Sequence, residues 1–133
     1  MTDLLFVDTS TWFALANRRD PDHRAARRAL ESFQGRLLTS NFVFDETVTL
    51  CLYRLGHDVA LRVGDELRGG EMVDLARATG ADEVAAWKLF RGRTDKEYSF
   101  TDCVSFVMMR RLGIEQAAAF DEDFRREGFA VVP

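Results

Sequence analysis

The stretch that decides this fold lies in the last third of the chain and reads Tyr98-Ser99-Phe100-Thr101-Asp102-Cys103-Val104-Ser105-Phe106. Ser99 is followed three residues later by an acid, a capping-box pattern that predicts the start of a helix between residues 99 and 101. The residues downstream, as far as Leu112, are apolar on nearly all sides, which is typical of a helix packed from several directions. Asp102 therefore opens a buried helix. The helix dipole favours its charge there, but the neighbouring core demands a partner for it, and a metal ion is one candidate.

The size and composition of the chain predict one domain with a real core, residues 1–133, because 133 residues of which 47% are hydrophobic are enough to build it. The formal net charge is −4, so nucleic acid would have to bind a local basic patch. Cys51 and Cys103 lie in apolar helical patterns without metal-ligand spacing, which argues against zinc and disulfides. The sequence contains no recognisable signal peptide or transmembrane-length segment, so we expect a cytoplasmic protein without a membrane role.

Short apolar runs alternate with helical patterns along the rest of the chain. Strands are predicted at residues 4–7, 37–38, 72–75, 117–120 and 129–132. Helices are predicted at residues 12–16, 22–33, 42–55, 58–67 and 82–90, with Thr9, Ser10 and Thr11 supplying the cap of the first. Strands that alternate with helices predict an α/β sandwich with a mostly parallel central sheet flanked by helices.

Four acids occupy equivalent places in this pattern. Asp8 and Asp121 each follow an apolar strand. Glu46 lies on the apolar face of one helix, and Asp102 opens another. Because the carboxyl ends of parallel strands converge on one edge of a sheet, the four side chains can meet in one acidic pocket. Negative charges that lie so close together destabilise the fold unless cations neutralise them. An all-oxygen ligand set suits Mg²⁺ or Mn²⁺, and both ions support phosphodiester cleavage.

The same residues also have ordinary structural explanations. An Asp after a strand commonly caps the next helix, and Asp102 can serve its capping box alone. Asp121 can be a turn residue and Glu46 an exposed helical glutamate. From the residue pattern alone, the metal site and these local roles both stay open. One other enzyme class is excluded, since a haloacid-dehalogenase-type phosphatase needs a second Asp where Ser10 stands.

A series of short motifs spans almost the whole chain. In chain order they are Leu5-Phe6-Val7-Asp8-Thr9-Ser10, Asp22-His23, Phe44-Asp45-Glu46-Thr47, residues 98–108, Phe120-Asp121-Glu122-Asp123-Phe124 and Gly128-Phe129. In this order and spacing they resemble the PIN domain family, and within it the VapC-type toxin ribonucleases of toxin–antitoxin pairs. The resemblance implies that the α/β fold is a PIN-like three-layer sandwich. One such motif would be a weak signal, whereas the ordered set is specific.

The resemblance implies an activity, a cofactor and a set of site residues. PIN domains are Mg²⁺- or Mn²⁺-dependent nucleases that use three or four acids. The corresponding catalytic and metal-binding acids here are Asp8, Glu46, Asp102 and Asp121. A small hydroxyl residue often accompanies them, here Thr9, Ser10 or Thr101. We therefore expect a metal-dependent endoribonuclease that hydrolyses RNA phosphodiester bonds.

The resemblance also implies partners. A VapC-type toxin has a cognate, VapB-like antitoxin protein and forms a homodimer. We expect apolar residues of the antitoxin to lie in a groove between the early helices, near Trp12, Phe13 and Phe42, with an Arg or Lys set against the acids.

Two questions stay open in the sequence. Asp123 follows Asp121 so closely that one acid or both could support the metals. A non-catalytic PIN-like domain that binds RNA or protein without cutting is the main alternative, and the presence of all four acids argues against it. Seven basic residues are candidates for binding RNA phosphates, with a solvated charged face as the equal alternative: Arg18, Arg19, Arg91, Arg93, Lys96, Arg110 and Arg111.

Overall fold

A computed structural model describes residues 3–133 of the chain, so the predicted domain of residues 1–133 includes two residues, Met1 and Thr2, outside the described part. Five strands form one sheet: β1 (Leu4–Val7), β2 (Arg36–Ser40), β3 (Val73–Ala76), β4 (Gln116–Ala118) and β5 (Ala130–Val132). All neighbouring strands are parallel, in the order β3-β2-β1-β4-β5. The described helices that flank the sheet are α1 (Thr9–Ala16), α2 (His23–Ser32), α3 (Asn41–Leu55), α4 (His57–Gly69), α5 (Gly80–Gly92), α6 (Phe100–Leu112) and α7 (Asp123–Arg126). The predicted α/β sandwich is confirmed.

The strand order creates a switch point beside β1. The chain builds β1, β2 and β3 outward in one direction, then returns and places β4 on the other side of β1. The Asp8 backbone N–H extends this pairing by donating to the Ala118 carbonyl at 3.0 Å. In open α/β sheets, the crevice at the carboxyl ends of the strands beside such a point is where ligands bind.

The core lies around β1 and α6. Leu5, Phe6 and Val7 are fully buried, because a central parallel strand is covered on both faces. The middle of α6 is buried as well, from Cys103 to Phe106 and at Met108 and Met109, which explains why its sequence is apolar on nearly all sides. Ser99 caps α6 in a complete capping box with Asp102, as the sequence predicts.

Some element boundaries differ from prediction for a physical reason. The cap of α1 is Asp8 and not the Thr9–Thr11 run, which already lies inside the helix. Helix α5 begins at Gly80, two residues before its predicted start, because Thr79 and Asp82 form a second capping box. Strand β4 ends at Ala118, so Phe120 and Asp121 belong to the loop that follows.

No helix within residues 3–133 has both the length and the hydropathy needed to cross a membrane.

Candidate active site

The four acids singled out by the sequence lie on elements that end or begin at the carboxyl edge of the sheet. Asp8 directly follows β1, and Asp121 follows β4 on the adjacent side of the switch point. Glu46 is half-buried in α3, which starts directly after β2. Asp102 is half-buried in the first turn of α6.

Asp8 is a buried carboxylate whose two oxygens differ in their hydrogen bonding. Its Oδ2 accepts hydrogen bonds from the Ser10 hydroxyl at 2.8 Å and from the Ser10 backbone N–H at 3.4 Å, which is the helix cap. Its Oδ1 is buried and has no hydrogen-bond partner among the described residues. The pKa of Asp8 is raised to about 7, mainly by burial and to a smaller extent by the charges of Asp102 and Asp121, while the hydrogen bonds from Ser10 lower it. An unpartnered buried oxygen of this kind calls for a ligand.

Asp102 takes part in the helix cap and in the acidic pocket. Its Oδ2 accepts a hydrogen bond from the Ser99 backbone N–H at 3.0 Å, and its own N–H donates to the Ser99 hydroxyl at 3.0 Å. Burial raises the pKa of Asp102 to about 6, and the charges of Asp121, Asp123 and Glu46 contribute in the same direction. The capping role therefore fixes one oxygen and leaves the carboxylate close to its acidic neighbours.

Asp121 and Asp123 act together at the start of α7. Oδ1 of Asp121 accepts a hydrogen bond from the Asp123 backbone N–H at 3.0 Å. Burial raises the pKa of Asp121, and the nearby charge of Asp123 adds to the effect. Since Asp123 also raises the pKa of Asp102, its carboxylate lies near the pocket as well. The sequence leaves the role of Asp123 open, and in the structure the charge of Asp123 raises the pKa values of Asp102 and Asp121.

The structure brings the predicted acids together to different degrees. The charges of Asp102 and Asp121 raise the pKa of Asp8. The charge of Glu46 raises the pKa of Asp102. Within residues 3–133, no three Asp, Glu, His or Cys side chains are grouped closely enough to hold a metal ion as they stand. The predicted acids therefore lie at the same edge of the sheet without converging within metal-binding distance of one another.

Ser10 is the small hydroxyl residue that contacts the pocket. Besides donating to Asp8, its hydroxyl oxygen accepts a hydrogen bond from the Phe120 backbone N–H at 3.1 Å. The Thr9 hydroxyl is buried without a partner among the described residues. Of the three hydroxyl residues predicted from the sequence, Ser10 therefore joins the loop after β1 to the loop after β4.

Several basic residues considered for RNA binding are already engaged in ion pairs. Arg93 and Arg110 bind Glu127, and Arg111 binds Asp82. Lys96 pairs with Asp95 at the surface. Arg18, Arg19 and Arg91 are exposed and have no ion pair within the described residues, so they are the better candidates for phosphate contacts.

Comparison with known proteins defines the family. Residues 5–130 match the family model of the PIN domain. The "23S rRNA-specific endonuclease VapC20" of Mycobacterium tuberculosis is 40% identical over 129 residues, which cover 97% of this chain and 98% of the relative. The chain therefore belongs to the PIN domain family, as the motifs predict.

Solved structures and a second relative agree with this assignment. The crystal structure of M. tuberculosis VapC20, described as a sarcin–ricin loop cleaving toxin, superposes with a TM-score of 0.92 over 97% of this chain and 99% of that one. "Ribonuclease VapC26" of the same organism is 29% identical over 107 residues, which cover 80% of this chain and 78% of the relative. VapBC2 from Rickettsia felis shares the fold at a TM-score of 0.73 and 10% identity, covering 96% of each chain.

Proposed function

We propose that this chain is a metal-dependent endoribonuclease, the toxin of a toxin–antitoxin pair. The observation that carries the proposal is the buried Asp8 carboxylate at the switch point, with one oxygen fixed by Ser10 and the other unpartnered beside the charges of Asp102 and Asp121. The likeness to VapC20 over nearly the full chain supports the ribonuclease assignment. The sequence contains all four expected acids, which supports cleavage over a PIN-like domain that binds without cutting.

The residues present fit a hard divalent cation. Every pocket donor is an oxygen, and pKa values raised by burial and mutual repulsion mean that positive charge at this position would stabilise the ionised carboxylates. We propose that the ion, Mg²⁺ or Mn²⁺, is held by Asp8, Glu46, Asp102 and Asp121. Asp123 holds Asp121 through its backbone N–H and adds charge.

The chain's own side chains would orient the reaction. Ser10 and Ser99 each hold one oxygen of a pocket carboxylate, so Asp8 and Asp102 present their other oxygens in fixed positions. A bound cation would supply positive charge for the phosphate oxygens and lower the pKa of a water molecule. A pocket carboxylate oxygen that does not contact the cation could accept the proton of the attacking water.

The proposed substrate is 23S rRNA at the sarcin–ricin loop. The support is the identity of 40% to VapC20, which bears that specificity in its description, and the matching backbone over nearly the whole chain. Arg18, Arg19 and Arg91 are the exposed basic residues proposed to contact the RNA backbone.

The proposed protein partner is a VapB-like antitoxin. A groove of about 600 Å³ is lined by apolar residues of α1, α2 and α4, among them Trp12, Leu15, Leu30 and Val63, and by Arg18, Arg27 and Arg62. Such a groove suits an amphipathic segment that folds on binding. It includes Trp12, as expected from the sequence, but Phe13 and Phe42 do not line it. Phe42 packs edge-on against Phe100 instead, at a centroid distance of 5.8 Å.

A homodimer is the proposed assembly. Val84, Trp87 and Phe90 form an exposed apolar face on α5, where Trp87 stacks on Phe90 at 5.5 Å. Exposed apolar patches of this kind mark protein interfaces. We place the second copy on this face, so Trp87→Glu should yield a monomer in sedimentation while Lys88→Glu, on the same helix, leaves the dimer intact.

The decisive experiment uses intact ribosomes and purified wild-type protein. Mapping of RNA ends should reveal one cut in the sarcin–ricin loop, which disappears in EDTA and returns with Mg²⁺ or Mn²⁺. Asp102→Asn should bind ribosomes without cutting, and Asp65→Asn, an exposed change on α4, should cut normally. Cleavage that survives chelation would refute the metal site, and a folded protein that binds metal and cuts no RNA would favour the non-catalytic alternative.

A further inference from the structure

Glu127 is a buried carboxylate outside the acidic pocket that binds three other side chains. Its side chain is only 5% exposed. It accepts hydrogen bonds from Arg93 Nε at 3.0 Å and Nη2 at 3.2 Å, from Arg110 Nη2 at 3.0 Å and from the Tyr98 hydroxyl at 3.0 Å. Burial opposes ionisation, but these three partners together hold the pKa of Glu127 below its usual value. The cluster is therefore an ionised carboxylate between two guanidinium groups.

The cluster lies between the two segments that carry three of the pocket acids. Tyr98 directly precedes Ser99, which caps α6 and binds Asp102. Glu127 directly follows α7, whose first residue, Asp123, binds Asp121. The hydrogen bond from Tyr98 to Glu127 thus ties the start of α6 to the end of α7.

An aromatic cluster strengthens the same connection. The Tyr98 ring meets Phe106 edge-on at 5.0 Å, and Phe106 meets Phe124 of α7 at 4.9 Å. Arg110, besides binding Glu127, lies over the Phe129 ring at 5.2 Å. Polar and aromatic contacts therefore hold the same segments, which leaves the connector between α5 and α6 little freedom to move relative to α7.

Stability alone gives little reason for this arrangement, because well-packed apolar residues can replace a buried ion pair without loss of stability. We propose that Glu127 is a positioning residue for the acidic pocket: it fixes the connector before α6 against α7 and so sets the spacing of Asp102 and Asp121. The proposal rests on the proposed metal-dependent function of those acids. Residues that orient metal ligands typically contribute about 10–100-fold to metal affinity or activity.

The chain offers a matched control in a second buried carboxylate. Asp82 is 2% exposed and accepts two hydrogen bonds from Arg111, at 2.7 and 2.8 Å. This pair joins the start of α5 to the last turn of α6, and Arg111 lies nine residues along the helix from Asp102, roughly 14 Å. Neutralising Asp82 weakens another buried bridge, at the far end of the same helix.

The test compares Glu127→Gln with Asp82→Asn in purified, metal-free protein. Both variants should melt at lower temperature than the wild type. Calorimetry with Mn²⁺ should show about tenfold weaker binding for Glu127→Gln, and binding within twofold of wild type for Asp82→Asn. Amide hydrogen exchange at residues 94–102 should accelerate in Glu127→Gln alone. On RNA, kcat should fall while KM stays unchanged.

Equal Mn²⁺ affinity and equal exchange at residues 94–102 in both variants would overturn the positioning role. Should Glu127→Gln fail to fold, Tyr98→Phe removes one hydrogen bond and leaves both arginines in place. That variant should shift Mn²⁺ affinity in the same direction by a smaller factor, and unchanged affinity would again overturn the proposal. Failure of the proposed function looks different, since a wild type that binds Mn²⁺ but leaves RNA intact removes the ribonuclease assignment while the Mn²⁺ comparison still stands.

Discussion

The Ser10 hydroxyl oxygen accepts a hydrogen bond from the Phe120 backbone N–H at 3.1 Å, although the two residues are 110 positions apart. The same hydroxyl donates to Asp8 at 2.8 Å. One small side chain therefore fixes the loop that carries Asp8 to the loop that carries Asp121. Strand pairing brings those loops to the same edge, and Ser10 sets their distance within that edge.

Replacing Ser10 should damage stability and activity together. Ser10→Ala leaves the Phe120 N–H without this partner and removes the donor that lowers the pKa of Asp8. We expect a loss of about 1–3 kcal/mol in urea unfolding and a large fall in cleavage rate. Ser32→Ala, whose exposed hydroxyl contacts only the Ala29 carbonyl at 3.5 Å, is the control and should change neither quantity. A Ser10→Ala protein that cuts at the wild-type rate would show that the two loops are held by other contacts.

Substitutions of Asp121 and Asp123 should have different effects on metal binding and cleavage. Asp121→Asn removes a proposed metal ligand and should abolish both Mn²⁺ binding and cleavage. Asp123→Asn keeps the backbone N–H that holds Asp121, so we expect it to cleave within about tenfold of the wild type. It also removes a charge that raises the pKa values of Asp102 and Asp121, so its rate should begin to rise at lower pH. Loss of Mn²⁺ binding in Asp123→Asn would instead make Asp123 a ligand.

The metal-free protein should lose stability as the pH rises from about 4 to about 7. The folded-state pKa of Asp8 is about 7, above its ordinary value of 3.8, so the unfolded chain ionises first and the native state is penalised through that window. Near pH 7 the penalty is roughly 4 kcal/mol at about 1.4 kcal/mol per pKa unit. Asp8→Asn should therefore melt above the wild type by a margin that grows over this range in EDTA. A margin independent of pH would contradict the buried-acid interpretation.

The groove of α1, α2 and α4 should decide antitoxin binding without affecting catalysis. Leu30→Arg places a charge among its apolar residues, so the proposed VapB-like antitoxin should bind at least about tenfold more weakly. Leu61→Arg, at a 55% exposed position of α4 outside this groove, should bind normally. Both variants should cleave RNA at the wild-type rate in the absence of antitoxin. Normal antitoxin capture by Leu30→Arg would move the interface to another surface.

The features of the fold that the sequence predicts correctly depend on residues that are close together in the chain. The Ser99–Asp102 capping box and the buried β1 run up to Asp8 are readable because the interacting residues are neighbours. The sequence also predicts the correct turn for Asp102 and its role in the cap, whereas its role as a metal ligand stays a prediction. The sequence predicts Thr9–Thr11 as the cap of α1 where the structure has Asp8, because those residue types cap helices as readily as Asp does.

The parts that could not be predicted depend on distant partners. Glu127, Arg93 and Arg110 are ordinary surface residue types, and only the fold shows that they meet in a buried cluster. The same holds for Arg111 and Asp82. Charge on an arginine says nothing about whether it contacts RNA or a carboxylate 29 residues away.

The order of the strands has a consequence for how the protein is made. Asp102 and Asp121 lie in the last quarter of the chain, and β4 must pair with β1 before Asp121 comes near Asp8. Until β4 has left the ribosome and paired with β1, the nascent chain has no complete pocket. If 23S rRNA is the substrate, the nascent chain cannot cut it before that pairing forms.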